Sequence, residues 1–374
     1  MAGEKRNSNQ LPDMDQTTAK RLFESGGILL FEDLPEGSEF GIDYNSWNVG
    51  PKFRGLKMIP PGIHFIFYRG GSAPRIGFFH NFKEKEILVK KWDKSKEDIR
   101  DDYIPTEDQL DRYRSNLREL DQYLGPYPYQ SYKSWFSLTN HITPSLLAAV
   151  SPKNGRISSQ SDLITMEAET LGEGSNRVDR EHPTRIRFVD EQGLPIMRVK
   201  AGTEIRFHTI PVQRAPDNAS AAERSRYGMD ASHQLALFLE SADYLSDLEL
   251  LGELQFAFVC FLMGHIYEAF EQWKRLVHLL CSCSEALTTR AELFQNLLST
   301  LHFQLKECPR DFFVDIVSKN NFLTITLTNL FTNAETREGL DPAFKEKTRK
   351  FKNYLTKKFK WDFESDPDRP LVVE

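Results

Sequence analysis

The sequence predicts an α+β chain of two domains: an N-terminal antiparallel β-sandwich or barrel-like domain with covering helices, and a C-terminal all-α, VHS-like helical domain. Three observations carry this. Up to residue 92, short runs rich in Ile, Phe, Tyr and Val alternate with Gly, Pro, Asn and Asp, as closely spaced strands do. Beyond residue 246, apolar residues recur at helical spacing with short links between runs, which favours antiparallel helical neighbours. Between them, residues 151–200 are polar, Gly/Ser-rich and weakly periodic, the composition of a linker. At 374 residues there is room for two cores. The division is 1–150, a linker at 151–200, helices at 201–363 and a flexible tail at 364–374.

In chain order, Asp15–Ser25 reads as a short helix, with Gly26-Gly27 as a left-handed stop. Strands follow at Ile28–Leu34, Glu39–Tyr44, Ile63–Tyr68, Arg75–Phe82 and Glu86–Trp92. Glycine and proline crowd the stretch Asn45–Pro60, which reads as one long shaped loop before the Pro61-Gly62 turn. Both faces of Ile63–Tyr68 are apolar, so that strand is central. Thr106-Glu107-Asp108-Gln109 has the form of a capping box, and Leu110, Tyr113, Leu117, Leu120 and Leu124 make one apolar stripe ended by Gly125-Pro126. Trp135, Phe136, Leu138 and Ile142 predict a second short helix, and Thr143-Pro144 starts a third. Thr203–Ile210 alternates like an isolated strand, and a polar stretch, Gln213–Arg226, leads into the helical half. There, Ser246–Glu249 resembles a second capping box, and Leu250–Met263 is apolar nearly all round, as a central buried helix is. Helical runs continue at His265–Leu280, Leu287–Leu305, Asp311–Val317, Phe322–Phe331 and Phe344–Phe359.

Composition excludes several classes. A net charge of −6 gives no global pull toward nucleic acid. The longest apolar run, Phe256–Met263, is far short of the roughly 20 residues of a membrane helix, and the N-terminus has no signal-peptide core. The four cysteines suggest neither a disulfide framework nor a zinc knuckle, which favours a reducing, intracellular compartment. Gly50–Lys57 is a near miss to a phosphate-binding loop, with its lysine one place late and no Ser/Thr after it. The nine histidines are scattered, and His265 and His278, thirteen apart in one predicted helix, cannot chelate a metal as an i, i+4 pair. His64 reads as a hydrogen-bonded core residue. Asp43 has no nucleophile or second carboxylate beside it, so a hydrolase needs a polar cleft around the two. No cofactor, metal or catalytic residue is expected.

Two features point to binding. The predicted C-terminal helix carries Lys345, Lys347, Arg349, Lys350, Lys352, Lys357, Lys358 and Lys360 around an apolar face of Phe344, Phe351, Leu355 and Phe359. Such a ring is either solvated or contacts RNA phosphates or an acidic protein, with Lys350, Lys357 and Lys358 as candidate contacts. The tail ends in the β-prone Leu371-Val372-Val373, which is either disordered or adds a strand to a partner.

Several segments resemble the AAR-two splicing-factor family: EFGIDYNSW, VGPKFRG and KMIPPGIHF between Glu39 and Phe65, then LDQYLGPYPY, LGELQFAFVCFL, YEAFEQWKRL, DFFVDIVSKNNFL and LTKKFKWDF. The match runs in order from about residue 18 to residue 363 and is weakest in the linker. The resemblance implies a non-enzymatic assembly factor of the U5 small nuclear ribonucleoprotein. It implies binding to the C-terminal RNase H-like and Jab/MPN-like region of the scaffold Prp-eight, which holds off the helicase Brr-two until phosphorylation releases the factor. Other U5 proteins are implied partners. A chain monomeric on its own, cytoplasmic with nuclear entry alongside the U5 particle, goes with that reading. Ser158, Ser159, Ser161, Ser220 and Ser225 are linker candidates for phosphorylation. Aromatic and arginine side chains anchor most interfaces, which singles out Trp47, Lys52, Arg54, Tyr267 and Trp273, a core role being the competing reading for each tryptophan.

Overall fold

The computed structural model describes residues 15–71, 73–100, 103–160, 163–165, 197–212, 215, 219–308 and 322–363. The apolar run Asp311–Val317, Ser161 and the C-terminal tail lie outside them. Helix α1 (Gln16–Ser25) leads into strands β1 (Gly27–Glu32), β2 (Glu39–Ile42), β3 (Asn45–Asn48), β4 (Gly55–Ile59), β5 (Gly62–Arg69), β6 (Ile76–Phe82), β7 (Ile87–Asp93) and β8 (Asp98–Ile99). Then come α2 (Glu107–Leu120), β9 (Leu124–Pro126), α3 (Tyr132–Thr139), α4 (Pro144–Val150), β10 (Ile157–Ser158), β11 (Leu163–Thr165) and β12 (Met197–Val199). The rest is helical: α5 (Ala221–Met229), α6 (Ser232–Ser241), α7 (Asp247–Leu262), α8 (Tyr267–Cys281), α9 (Ala286–Thr289), α10 (Ala291–Glu307), α11 (Phe322–Thr336) and α12 (Pro342–Phe359).

Two five-stranded sheets, ordered β8-β7-β1-β4-β9 and β10-β6-β5-β2-β3, stack face to face. Alternation along each strand decides what each face meets. In β1, Leu29 and Phe31 join Phe40, Ile66, Tyr68 and Phe82 of the second sheet in the core between the sheets. Leu30 points the other way, to Val89 and to Leu110, Tyr113 and Leu120 near and on α2. In β5, Ile66 and Tyr68 face the first sheet, while Phe65 and Phe67 face Trp135, Leu146, Phe256, Val259 and Cys260. The molecule is therefore layered as α2, sheet, sheet, then α3, α4 and α7. The two-sided apolarity of Ile63–Tyr68 has this cause: its second face is covered by a helix from the C-terminal half.

That junction is one shared core. Gly252 of α7 lies against the α3–α4 turn, where a Cβ would stand 2.3 Å from the His141 carbonyl oxygen. Gln255 accepts from His141 N at 2.8 Å and donates to Asn140 Oδ1 at 2.8 Å. Arg75, beside β6, donates to Met263 O at 2.8 Å and to Glu39 Oε1 at 2.5 Å.

The structure corrects the sequence reading in detail. Gly26 is extended (φ −67°, ψ 153°), not left-handed; glycine is needed there because a Cβ would meet Leu22 O at 2.4 Å and Met58 Cα at 2.9 Å. Asn45–Pro60 is two strands, β3 and β4, and its glycines and prolines only mark their ends. The first sheet is mixed, with β1–β7 and β4–β9 parallel, so Gly125-Pro126 is a short edge strand rather than a helix stop. Thr203–Ile210 forms no strand. Its backbone is taken by other groups, Arg206 N donating to Val150 O at 2.8 Å and His208 N to Glu253 Oε1 at 3.2 Å. Ser246 caps nothing with its side chain, because Glu249 instead accepts from Leu245 N and from Thr143 and Ser145 of the α4 cap. His265 lies before α8 in a left-handed turn (φ 61°). Within the stretch read as linker, β10 extends the second sheet by pairing with β6.

Candidate functional site

The two-residue turn between β2 and β3 puts Asp43 at φ 53°, a conformation that Asp tolerates. Its carboxylate points into the core and meets three donors. His64 Nδ1 lies 2.7 Å from Oδ2, the Tyr127 hydroxyl donates to Oδ2 at 2.7 Å, and Phe65 N donates to Oδ1 at 3.0 Å. His64 Nε2 lies 2.8 Å from Pro60 O, and a carbonyl can only accept, so Nε2 carries a proton. The proton between Nδ1 and Asp43 then belongs to the pair. Burial first, and the Asp43 charge second, push the Tyr127 hydroxyl far above its ordinary range. Asp43, His64 and Tyr127 are all fully buried, His64 at the wall of a cavity of about 230 Å³ that Ile63, Tyr132 and Trp135 also line. Together the three join β2, β5 and the segment after β9.

A second set of the same residue types sits on α7. Glu253 is buried, yet it accepts from His208 N at 3.2 Å and the Tyr244 hydroxyl at 2.7 Å, lies 2.5 Å from His208 Nδ1, and accepts from Gln272 Nε2 at 3.1 Å. The hydrogen bond to Glu253 raises the His208 pKa, opposed by partial burial. This set straps the 203–212 segment onto α7 and α8. Sequence reasoning missed it and Tyr127. An acid within the nearly all-apolar run Leu250–Met263 was the available signal, since a buried charge needs partners.

The residues expected to meet a partner divide sharply. Trp47 lies on β3, at an edge of the second sheet, and is 41% exposed. Lys52 and Arg54 are both exposed in the β3–β4 connection, where Arg54 donates to Phe53 O at 2.9 Å. Tyr267, the first residue of α8, is 71% exposed. Trp273 is a correction: it is fully buried, and its indole donates to Gln304 Oε1 at 2.9 Å between α8 and α10. Of the basic candidates, Lys350 pairs with Glu346 at 3.6 Å and Lys357 is exposed. Lys358 is spent inside the fold, donating to Leu305 O at 2.8 Å and Lys306 O at 2.6 Å at the C-terminus of α10, where a cation offsets the helix dipole. Arg349 is likewise held by Glu346, at 2.9 Å from each oxygen.

All four cysteines are buried, and burial raises their thiol pKa values, that of Cys308 to about 12. Among the described residues, no cluster of His, Cys, Asp and Glu could hold a metal ion, and no helix is long and apolar enough to cross a membrane.

Residues 25–152 match the family model of the AAR2 N-terminal domain, and residues 207–364 match that of the AAR2 C-terminal repeat region. The chain is 48% identical over 356 residues to the protein AAR2 homolog of Caenorhabditis elegans, covering 92% of this chain and 97% of that one. It is 44% identical over 376 residues to the protein AAR2 homolog of Homo sapiens, covering 96% and 97%. A more distant relative, 21% identical over 330 residues and covering 80% and 82%, is the A1 cistron-splicing factor AAR2 of Saccharomyces cerevisiae. Two domains of one family, matched in order, and high identity along almost the whole chain leave one assignment: this protein belongs to the AAR2 family.

Proposed function

We propose that this protein is a splicing factor that acts in spliceosome assembly by binding protein rather than by catalysis. The observation that carries this is the family membership along almost the whole chain, together with a relative whose name is that of a splicing factor. In this reading it holds the RNase H-like and Jab/MPN-like C-terminal region of the U5 scaffold Prp-eight. Occupying that surface excludes the Brr-two helicase sterically until phosphorylation releases the factor. The work is done in the cytoplasm, with nuclear entry alongside the U5 particle. The two histidine–carboxylate–tyrosine sets among the described residues, Asp43 with His64 and Tyr127 and Glu253 with His208 and Tyr244, spend their polar groups on one another and hold segments of the fold together, which supports a binding role. Trp47, Lys52, Arg54 and Tyr267 are the accessible anchors of the expected set, and they lie on both halves of the molecule.

The test is a pull-down from cytosolic extract with the tagged chain, read by mass spectrometry. Recovery of the U5 scaffold is expected, with loss on Trp47→Ala or Tyr267→Ala in chains that keep their fold. Failure to recover the scaffold overturns the proposal. The alternative, direct RNA binding through α12, has lost Lys358 to a structural task. It needs an affinity that falls steeply with salt.

A further inference from the structure

After α12 the chain turns back on itself. Lys360 ends the helix in the left-handed conformation (φ 62°), Trp361 stacks on Phe359 at 4.5 Å, and Phe363 lies edge-on to Phe331 of α11 at 5.0 Å. Phe331 also meets Phe351 at 6.2 Å, about two helical turns before Phe359. By Phe363 the chain therefore runs antiparallel to α12, on the side that faces α11.

A groove of about 470 Å³ between α11 and the N-terminal half of α12 lies in that direction. Phe331, Ala334 and Leu340 give it an apolar floor, and Phe331 is the residue that Phe363 already touches. Lys345, Arg349 and Lys352 stand along its α12 side, with Glu335 and Glu346 as its acids. Arg349 spends Nε and Nη2 on Glu346, at 2.9 Å each, while its Nη1 hydrogens make no bond among the described residues. Lys345 gives one of three ammonium hydrogens to Glu335 O at 3.4 Å, and Lys352 lies 3.6 Å from the Glu335 carboxylate. Glu346 is the one acid on α12, so the surplus charge on this side is positive.

Residues 364–374, which lie outside the described structure, continue from this end of the groove. Glu364, Asp366 and Asp368 put a carboxylate at every second position, and Pro367 and Pro370 favour extended backbone at the residues before them. In an extended chain alternate residues share a side, so Ser365 and Pro367 fall on the buried side of Phe363 and the three carboxylates on the other. The lengths agree: five extended residues span about 16 Å, and α12 from Lys352 back to Pro342 spans about 15 Å. Carboxylates about 6.6 Å apart then meet bases about 4.5 and 6 Å apart along the helix, a difference that long side chains absorb.

We propose that residues 364–374 dock in cis on the α11–α12 groove, seating Glu364, Asp366 and Asp368 along Lys352, Arg349 and Lys345 with Pro367 on the apolar floor. Occupied in this way, the groove face of α12 is closed to an acidic partner until the tail is displaced. Neither the groove nor its occupant depends on which partner the protein binds.

The test is zero-length carbodiimide coupling on the full chain, which joins a carboxylate to an amine only where the two touch, read by mass spectrometry. Coupling of Glu364 to Lys352 and of Asp366 or Asp368 to Lys345 is expected, about fivefold above coupling of the same carboxylates to Lys357 and Lys360. Those two lysines are exposed and nearer to the tail along the chain, so an undocked tail would favour them. Arg349→Gln, at an exposed position, should lower the Lys345 product about two- to threefold and leave the fold intact. An equal mixture of ordinary and isotopically heavy chains separates the occupants. Products within one isotope are expected, whereas products joining the two isotopes would put a second copy in the groove and overturn docking in cis. Coupling that favours Lys357 and Lys360, that spreads evenly, that misses α12 altogether or that ignores Arg349→Gln overturns it as well.

Discussion

The sheet half and the helical half each bury one carboxylate between a histidine and a tyrosine, and they do so to different depths. Asp43, His64 and Tyr127 are all sealed from water, whereas Glu253 is sealed but the His208 side chain keeps 23% of its surface exposed. The first set ties strands of one sheet to the segment that follows β9. The second ties a strand-free segment to a helix. What differs is the cost of removing a member. In a dry core a stranded polar group keeps its full desolvation penalty, while at a half-open site water takes the empty place.

The largest effect is therefore expected at Asp43. Asp43→Ala strands the His64 Nδ1, the Tyr127 hydroxyl and the Phe65 amide together, and should cost about 3–5 kcal/mol in urea unfolding. A cost below about 1 kcal/mol would mean that water reaches the turn, and the contrast between the two sets would collapse.

Next comes the direct comparison of the histidines. His64→Ala leaves Asp43 short of a partner in the core and opens a void beside Tyr127 and Trp135, at about 2–3 kcal/mol. His208→Ala should cost about 1 kcal/mol, since Glu253 keeps Tyr244 and Gln272 as donors. Equal costs would show that exposure of His208 does not matter.

How much of this could be read beforehand follows from the range of the forces involved. Alternation and helical periodicity are local, so β1, β2, β5, β6 and β7 fall within a residue or two of their expected bounds, and the Thr106 capping box forms as written. The two-sided apolarity of β5 even pointed to a second covering layer. The carboxylate sets are not local: Tyr127 stands 84 residues from Asp43, and Glu253 stands 45 from His208. Nothing in a spacing rule joins such pairs. The glycine- and proline-rich stretch misled in the opposite way, because turn residues at the ends of β3 and β4 outweighed the short apolar signal between them. Trp273 was ambiguous for a plain reason: a large aromatic on a helix serves a core or an interface equally well until its neighbours are known.

The tyrosines extend the comparison at smaller scale. Tyr127→Phe deletes one buried donor to Asp43 and should cost about 1–1.5 kcal/mol. Tyr244→Phe, at the half-open set, should cost about 0.5 kcal/mol in the same assay. Reversed order would place the wetter site in the sheet half.

The smallest effect is a dependence on pH, and it belongs to the helical half. His208 has a folded pKa raised above its ordinary 6.5, first by its hydrogen bond to Glu253 and then by that carboxylate's charge, with partial burial opposing. A group whose folded pKa is raised binds its proton more tightly in the native state, so the native state is favoured where the proton is on. The increment from His208 is therefore complete below about pH 6.5 and is lost as pH rises through the raised folded value. The groups that face the ring are Glu253 and Tyr244, and Tyr244 stays protonated throughout because burial and the Glu253 charge push its pKa far upward. The readout is the urea midpoint of the wild type minus that of His208→Gln, which removes the titration but keeps a polar side chain. That difference should shrink steadily from pH 6 to pH 8, by a small amount because the ring is partly in water. A difference that is flat or grows over this range would mean that Glu253 does not hold the proton on His208, and the strap on α7 would then be a neutral contact.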